Sequence, residues 1–179
     1  MKPAAEGWYS SSKITKRELH RRLSDALRAG HIWPAFQPIV DMKREEVVGF
    51  EILARWTDPE LGEIGPATFI PLLEKHHLID ILSKALFRSA CSAAVAWPGS
   101  PYLAFNVSPD QLLSGDLPDW IAEAASDICF PLDRLQVEIT EGSLSSDSEQ
   151  AYLTLRKLDS LGIRISIDDF GTGYSSLAR

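Results

Sequence analysis

Cysteine is scarce: Cys91 and Cys129 are the only two in 179 residues, 38 positions apart. No CxxC and no Cys/His ligand spacing occurs, which excludes a disulfide scaffold and a structural zinc site and fits a reducing compartment. An excess of positive charge is also missing. Eighteen Lys and Arg stand against twenty-five Asp and Glu, for a net charge of −7. Such a chain is poorly suited to duplex nucleic acid, which wants a basic face. A small anionic ligand stays open, because metal ions can supply positive charge locally. Long apolar runs are absent. The most apolar helical stretch, Leu82 to Trp97, carries Lys84 and Arg88 and is under 18 residues, so no membrane span is expected. Met1 to Ser12 lacks the apolar core of a signal peptide. There is no low-complexity tract and no solenoid repeat. What is present is an ordinary globular mixture, 45% hydrophobic and 24% charged. The reading is a cytoplasmic chain forming one domain or part of a larger one.

Residues 1–14 are polar and irregular and read as a leader or linker. Thr15 and Glu18 form a Thr-x-x-Glu capping box. The helix it opens places Leu19, Leu23, Ala26 and Leu27 on one stripe and ends at Gly30. Its basic face (Arg17, His20, Arg21, Arg22, Arg28) reads as solvated rather than as a partner contact. Two apolar runs, Ala35 to Val40 and Val47 to Trp56, flank a charged turn and predict a β-hairpin. Pro66 opens a helix, and a second runs from about Leu78 to Trp97. Then strands and helices alternate: strand 102–107, helix 119–128, strand 135–139, helix 149–161, strand 163–167. This is the pattern of βαβ units and a parallel sheet.

Polar residues stand at the carboxyl ends of these strands. Glu51 sits in the second hairpin strand, and Asn106 ends the next strand. Glu138 follows and runs on to Glu141. Asp168-Asp169 ends the last strand. Asn106 to Glu138 is 32 residues and Glu138 to Asp168 is 30, one βα unit each. Successive parallel strands therefore deliver an amide or a carboxylate to the sheet end where α/β sites are built. Clustered carboxylates repel and protonate unless a cation offsets them. All-oxygen donors suit Mg²⁺, Mn²⁺ or Ca²⁺. Four carboxylates suit two ions, as in phosphodiester hydrolysis. The Gly171-Thr172-Gly173 loop after the acidic pair is not a dinucleotide fingerprint, since GxGxxG is incomplete. Arg55 shares a strand face with Glu51 and Leu53, as a salt-bridge partner or as an anion clamp.

Five motifs occur in one order: Phe36-Gln37-Pro38-Ile39, Glu51-Ile52-Leu53-Ala54-Arg55-Trp56, Asn106-Val107-Ser108, Glu138-Ile139-Thr140-Glu141 and Asp168-Asp169-Phe170-Gly171-Thr172-Gly173-Tyr174-Ser175-Ser176-Leu177. Together they resemble the EAL domain family, the bacterial cyclic di-GMP phosphodiesterases. The resemblance implies a modified (β/α)₈ TIM-like barrel with one antiparallel strand, and hydrolysis of cyclic di-GMP to linear pGpG with two Mg²⁺ or Mn²⁺ ions. It implies Glu51, Asn106, Glu138, Asp168 and Asp169 as metal ligands, with Glu51, Asp168 and Asp169 catalytic. Gln37, Leu53 and Arg55 would contact substrate, Arg55 at phosphate. Residues 170–177 would link the metal site to a dimer interface. A homodimer and regulatory or diguanylate cyclase domains are the implied partners.

Two departures accompany the resemblance. Ile52 stands where alanine is usual, on the strand face away from Glu51. The family's Leu-Lys-Ile-Asp strand and its later glutamate and glutamine are not among the 179 residues. The expectation is therefore a partial barrel, residues 15–179 forming the N-terminal two-thirds of an EAL domain with its C-terminal strands missing, and inactive alone. Such a sector should leave Phe105, Val137 and Ile165 less covered. A non-catalytic cyclic di-GMP receptor and a protein-interaction module are the alternatives.

Overall fold

The computed structural model describes residues 15–140 and 149–168, with the backbone alone for Asp168. The expectations for residues 1–14, Glu141, Asp169 and the loop 170–177 lie outside the described residues. The chain divides into two compact units, Met1–Phe36 with Leu53–Ala90, and Gln37–Ile52 with Cys91–Arg179. Strands β1 (Ile32–Asp41) and β2 (Glu46–Asp58) each run from one unit into the other.

In the first unit, helix α1 (Lys16–Arg28) buries Leu19, Leu23 and Ala26 along one stripe. Thr15 caps it, its hydroxyl accepting from the Glu18 amide at 3.2 Å. The Glu18 carboxylate instead takes hydrogen bonds from Arg21 and Arg22, each at 2.8 Å. Arg21 also reaches Asp25 at 3.1 Å. Much of the basic face is thus partnered on its own helix, in line with a solvated face. The core of this unit gathers around Trp56, whose ring meets Phe69 edge-on at 5.4 Å. Phe69 lies on α2 (Pro66–Lys75), and α3 (Ile79–Ala94) follows. A short strand, β3 (Gly62–Ile64), pairs antiparallel with β2 from Trp56↔Ile64 to Asp58↔Gly62. Three residues are too few to show a period, so the sequence pattern had not revealed it.

The strands form one sheet in the order β1-β2-β4-β5-β6, with β3 on β2, and β4, β5 and β6 lie in the second unit. Its later elements are β4 (Tyr102–Val107), α4 (Pro109–Ser114), α5 (Leu117–Ile128), a 3₁₀ turn (Leu132–Arg134), β5 (Leu135–Thr140), α6 (Glu149–Ser160) and β6 (Arg164–Asp168). The β1–β2 connection is the expected hairpin. Asp41 Oδ1 accepts from the Lys43 and Arg44 amides at 2.8 and 3.2 Å and turns the chain back. The pairs β2–β4, β4–β5 and β5–β6 are all parallel. This is the α/β, parallel-rich arrangement the sequence predicted.

Alternate residues of these strands go to opposite faces. Leu103, Val107, Leu135, Val137 and Ile139 are buried on one face. Helices α4, α5 and α6 pack together, and α6 lies against β6. Val137 is only 2% exposed, against the expected loss of cover, while Phe105 and Ile165 are half-buried. The three belong to the apolar pleat. Ile167, also on that pleat, is exposed, and on the opposite pleat Asn106 and Thr140 are exposed and Gln136, Glu138 and Ser166 are half-buried. Among the described residues no helix is long and apolar enough to cross a membrane.

Candidate active site

The polar pleat of the second unit carries the candidate site. Glu51 lies opposite Ala104 in the β2–β4 register, and Asn106 stands two residues further along β4 on the same face. The small Ala104 leaves the diagonal clear, and Asn106 Nδ2 donates to Glu51 Oε1 at 2.8 Å. That contact fixes the amide: its N–H side faces Glu51, so its carbonyl oxygen is the atom left to act as a ligand. Asn106 is also the register partner of Glu138 on β5. Glu138 in turn is the register partner of Ser166 on β6. Asp168 follows Ser166 by two positions, and its backbone pairs opposite Thr140.

Beside Glu138 the pleat carries two residues that the reading of strand ends had passed over. Gln136 Nε2 donates to Glu138 Oε1 at 3.1 Å and to Ser166 Oγ at 3.0 Å. Ser166 Oγ donates to the same Glu138 oxygen at 3.4 Å. Gln136 and Ser166 precede Glu138 and Asp168 by two residues each. Period-2 alternation, extended back from the strand ends, would have found them.

Towards the amino-terminal end of the strands, Tyr102 pairs in register with Gly49 and lays its ring over it. The Arg164 guanidinium stacks on the same ring, 5.0 Å from its centre. Burial raises the Tyr102 pKa, the Glu138 charge adds to the rise, and Arg164 opposes it. Tyr102 therefore stays a neutral phenol beneath the acidic positions.

Of the expected substrate contacts, Gln37 is exposed on β1 within the second unit. Leu53 and Arg55 are half-buried and belong to the first unit. Arg55 Nη1 donates to the Ala54 carbonyl at 3.0 Å, and among the described residues no carboxylate pairs with it. Ile52 is 6% exposed on the face away from Glu51, as its position predicted.

Glu51, Asn106 and Glu138 offer only oxygen ligands from adjoining strands, a donor set that fits a hard divalent cation in its chemistry. Among the described residues no three Asp, Glu, His or Cys side chains gather closely enough to hold an ion. The further carboxylates expected there are those of Asp168 and Asp169, outside the described side chains.

The EAL domain family profile matches residues 20–179. The chain belongs to the EAL domain family. An "Uncharacterized signaling protein" of Caulobacter vibrioides is 40% identical over 163 residues, covering 91% of this chain and 20% of that protein. A solved structure described as "PaMucR Phosphodiesterase, c-di-GMP complex" superposes with a TM-score of 0.80 at 32% identity, covering 89% of this chain and 66% of that one. "Structure of EAL Enzyme Bd1971 - cGMP bound form" superposes with a TM-score of 0.79 at 25% identity, covering 90% and 46%. The EAL chain thus spans about a fifth of the curated relative's length and 66% of the PaMucR chain.

Proposed function

We propose that this chain carries the ligand-holding part of a divalent-metal-dependent cyclic di-GMP phosphodiesterase that releases linear pGpG. The observation that carries the reading is the Asn106–Glu51 hydrogen bond at 2.8 Å, with Glu138 in register beside Asn106 on the next strand. Three oxygen-bearing side chains on adjoining strands, in an EAL domain, support a metal centre.

In this reading Glu51, the Asn106 carbonyl oxygen, Glu138, Asp168 and Asp169 would hold two Mg²⁺ or Mn²⁺ ions. The bound ions supply Lewis-acid charge at the phosphodiester. The Asn106 N–H holds the Glu51 carboxylate in place, so that little reorganisation is left for the reaction. Gln37, Leu53 and Arg55 are assigned to substrate on the resemblance, Arg55 at a phosphate oxygen. The lysine, glutamate and glutamine of later strands are not among these 179 residues. The chain covers 66% of the PaMucR chain and 20% of the Caulobacter relative, and turnover is assigned to a longer polypeptide of the relatives' kind, working in the cytoplasm as a homodimer beside regulatory or diguanylate cyclase domains.

The test is pGpG release from cyclic di-GMP by that longer polypeptide with Mg²⁺ or Mn²⁺, with a chelator control. Glu51→Ala should lower turnover by about 10²–10³, the usual cost of one transition-state partner. Ile52→Val should leave turnover unchanged, at a stability cost of about 0.5–1.5 kcal/mol. Chelator-resistant release, or full activity in Glu51→Ala, would overturn the metal assignment. Tight binding of cyclic di-GMP with no pGpG would turn the reading into a receptor.

A further inference from the structure

We infer that Gln136 and Ser166 are positioning residues that hold the Glu138 carboxylate in its ligating orientation, an inference that rests on the metal-centre reading above. The argument starts from the strand. Gln136 and Glu138 are two residues apart on one face, a separation a backbone contact cannot bridge but a glutamine side chain can. Ser166 stands directly across from Glu138 on β6, close enough for a short hydroxyl. The three side chains close a triangle with edges of 3.1, 3.0 and 3.4 Å.

The donor directions in that triangle are consistent. Gln136 uses one N–H on Glu138 and one on Ser166, and the Ser166 hydroxyl donates a hydrogen bond to Glu138. Turning the Gln136 amide over would set its carbonyl against the carboxylate, so the neighbours fix its orientation. Both donors meet the same oxygen, Oε1. Together they order the carboxylate about its side-chain torsions.

Both donors are also neutral. An arginine or lysine in either place would orient Glu138 equally well but would offset its charge and compete with a cation. An amide and a hydroxyl orient without competing, as the groups behind a ligating side chain do in other metal sites. A purely structural reason for the triangle is weaker. Two apolar residues of similar volume would pack this pleat without any need for internal satisfaction.

The experiment measures Mn²⁺ binding to the 179-residue chain by titration calorimetry, with circular dichroism and thermal unfolding on each variant. Gln136→Leu combined with Ser166→Ala should weaken Mn²⁺ binding about 10–100-fold, the usual effect of removing the groups behind a metal ligand. Ser166→Ala alone should give a several-fold loss, and carries the test if the double variant fails to fold. Ser166→Thr keeps the hydroxyl and should bind like the unaltered chain. A lowered Tm with an unchanged Mn²⁺ Kd in the Gln136 and Ser166 variants would assign the triangle to stability alone and overturn this inference, leaving the metal centre intact. Absence of Mn²⁺ binding by the unaltered chain would overturn the inference and the metal-centre reading together.

Discussion

Gly49 gives the sharpest test of how the pleat is packed. A Cβ added at Gly49 would lie 2.6–2.7 Å from three atoms of the Tyr102 ring. Ordinary carbon contacts sit at about 3.5–4.0 Å, so the ring must retreat by roughly 1 Å. It cannot do so freely, because Arg164 is stacked on it and Tyr102 is Gly49's cross-strand partner. Overpacking of this kind costs about 1–3 kcal/mol. The Gly49 backbone is not in the left-handed region, so alanine brings no torsional penalty and recovers about 0.5–1 kcal/mol of chain entropy. The net expectation for Gly49→Ala is a loss of about 1–2 kcal/mol. For a domain of this size that is a fall in Tm of roughly 2–8 °C. The reasoning is specific to the ring, so it makes a second demand. In a Tyr102→Ala background the same Gly49→Ala change should become neutral or stabilising. Urea and thermal unfolding of the four proteins form the double-mutant cycle. Additive effects, or a Gly49→Ala protein as stable as the original, would refute the close contact as the cause.

Two further outcomes follow from groups away from the site. Arg134 is 8% exposed and donates to the carbonyls of Pro101, at 3.0 and 3.1 Å, and Ala94, at 3.0 Å. Arg134→Met should strand both carbonyls and cost about 2–4 kcal/mol in urea unfolding, whereas a change within error would show that water replaces the guanidinium there. Hydrogen bonds from Arg21 and Arg22 pull the Glu18 carboxyl from its usual 4.5 down to about 2. Its folded pKa is depressed, so its contribution to stability is present above pH 4.5 and is lost as pH falls towards about 2. Glu18→Gln should flatten that part of the acid-unfolding profile by a small amount, since the pair is exposed.

The strands that position the site were readable because each ends in a polar residue at one βα-unit spacing. Asn106 and Glu138 are register partners as their spacing suggests, whereas Asp168 falls two residues further along, opposite Thr140. The hairpin was readable from its charged turn, and the helix starts from Thr15 and Pro66. What escaped has physical reasons. β3 is three residues long and α4 six, shorter than one useful period of either pattern. The capping box was half right, because two arginines one turn on outbid the Thr15 amide for the Glu18 carboxylate. Val137 was expected to lose cover together with Phe105 and Ile165, but it lies on the pleat opposite Glu138 and is 2% exposed. Gln136 and Ser166 lie inside their strands and become legible only when the two-residue period is followed back from Glu138 and Asp168.

That pleat also explains an oddity in the sequence. Parallel strands covered on both faces normally read as continuous apolar runs. Here β5 reads Leu-Gln-Val-Glu-Ile-Thr and β6 reads Arg-Ile-Ser-Ile-Asp, a strict alternation more typical of a half-solvated antiparallel sheet. Placing glutamate, glutamine and serine on a partly buried face is expensive unless each finds a partner. The partners are there: Asn106 for Glu51, Gln136 and Ser166 for Glu138, Arg164 over Tyr102. Stability alone would favour apolar residues on both faces. A face that departs from the packing rule, yet whose polar groups partner one another in this way, is what a preorganised site requires. In the proposed reading, the alternation that spaces Gln136 from Glu138 puts a ligand and one of its positioning residues one pleat repeat apart on β5. A single strand can therefore supply both, and a one-residue register slip would remove both at once.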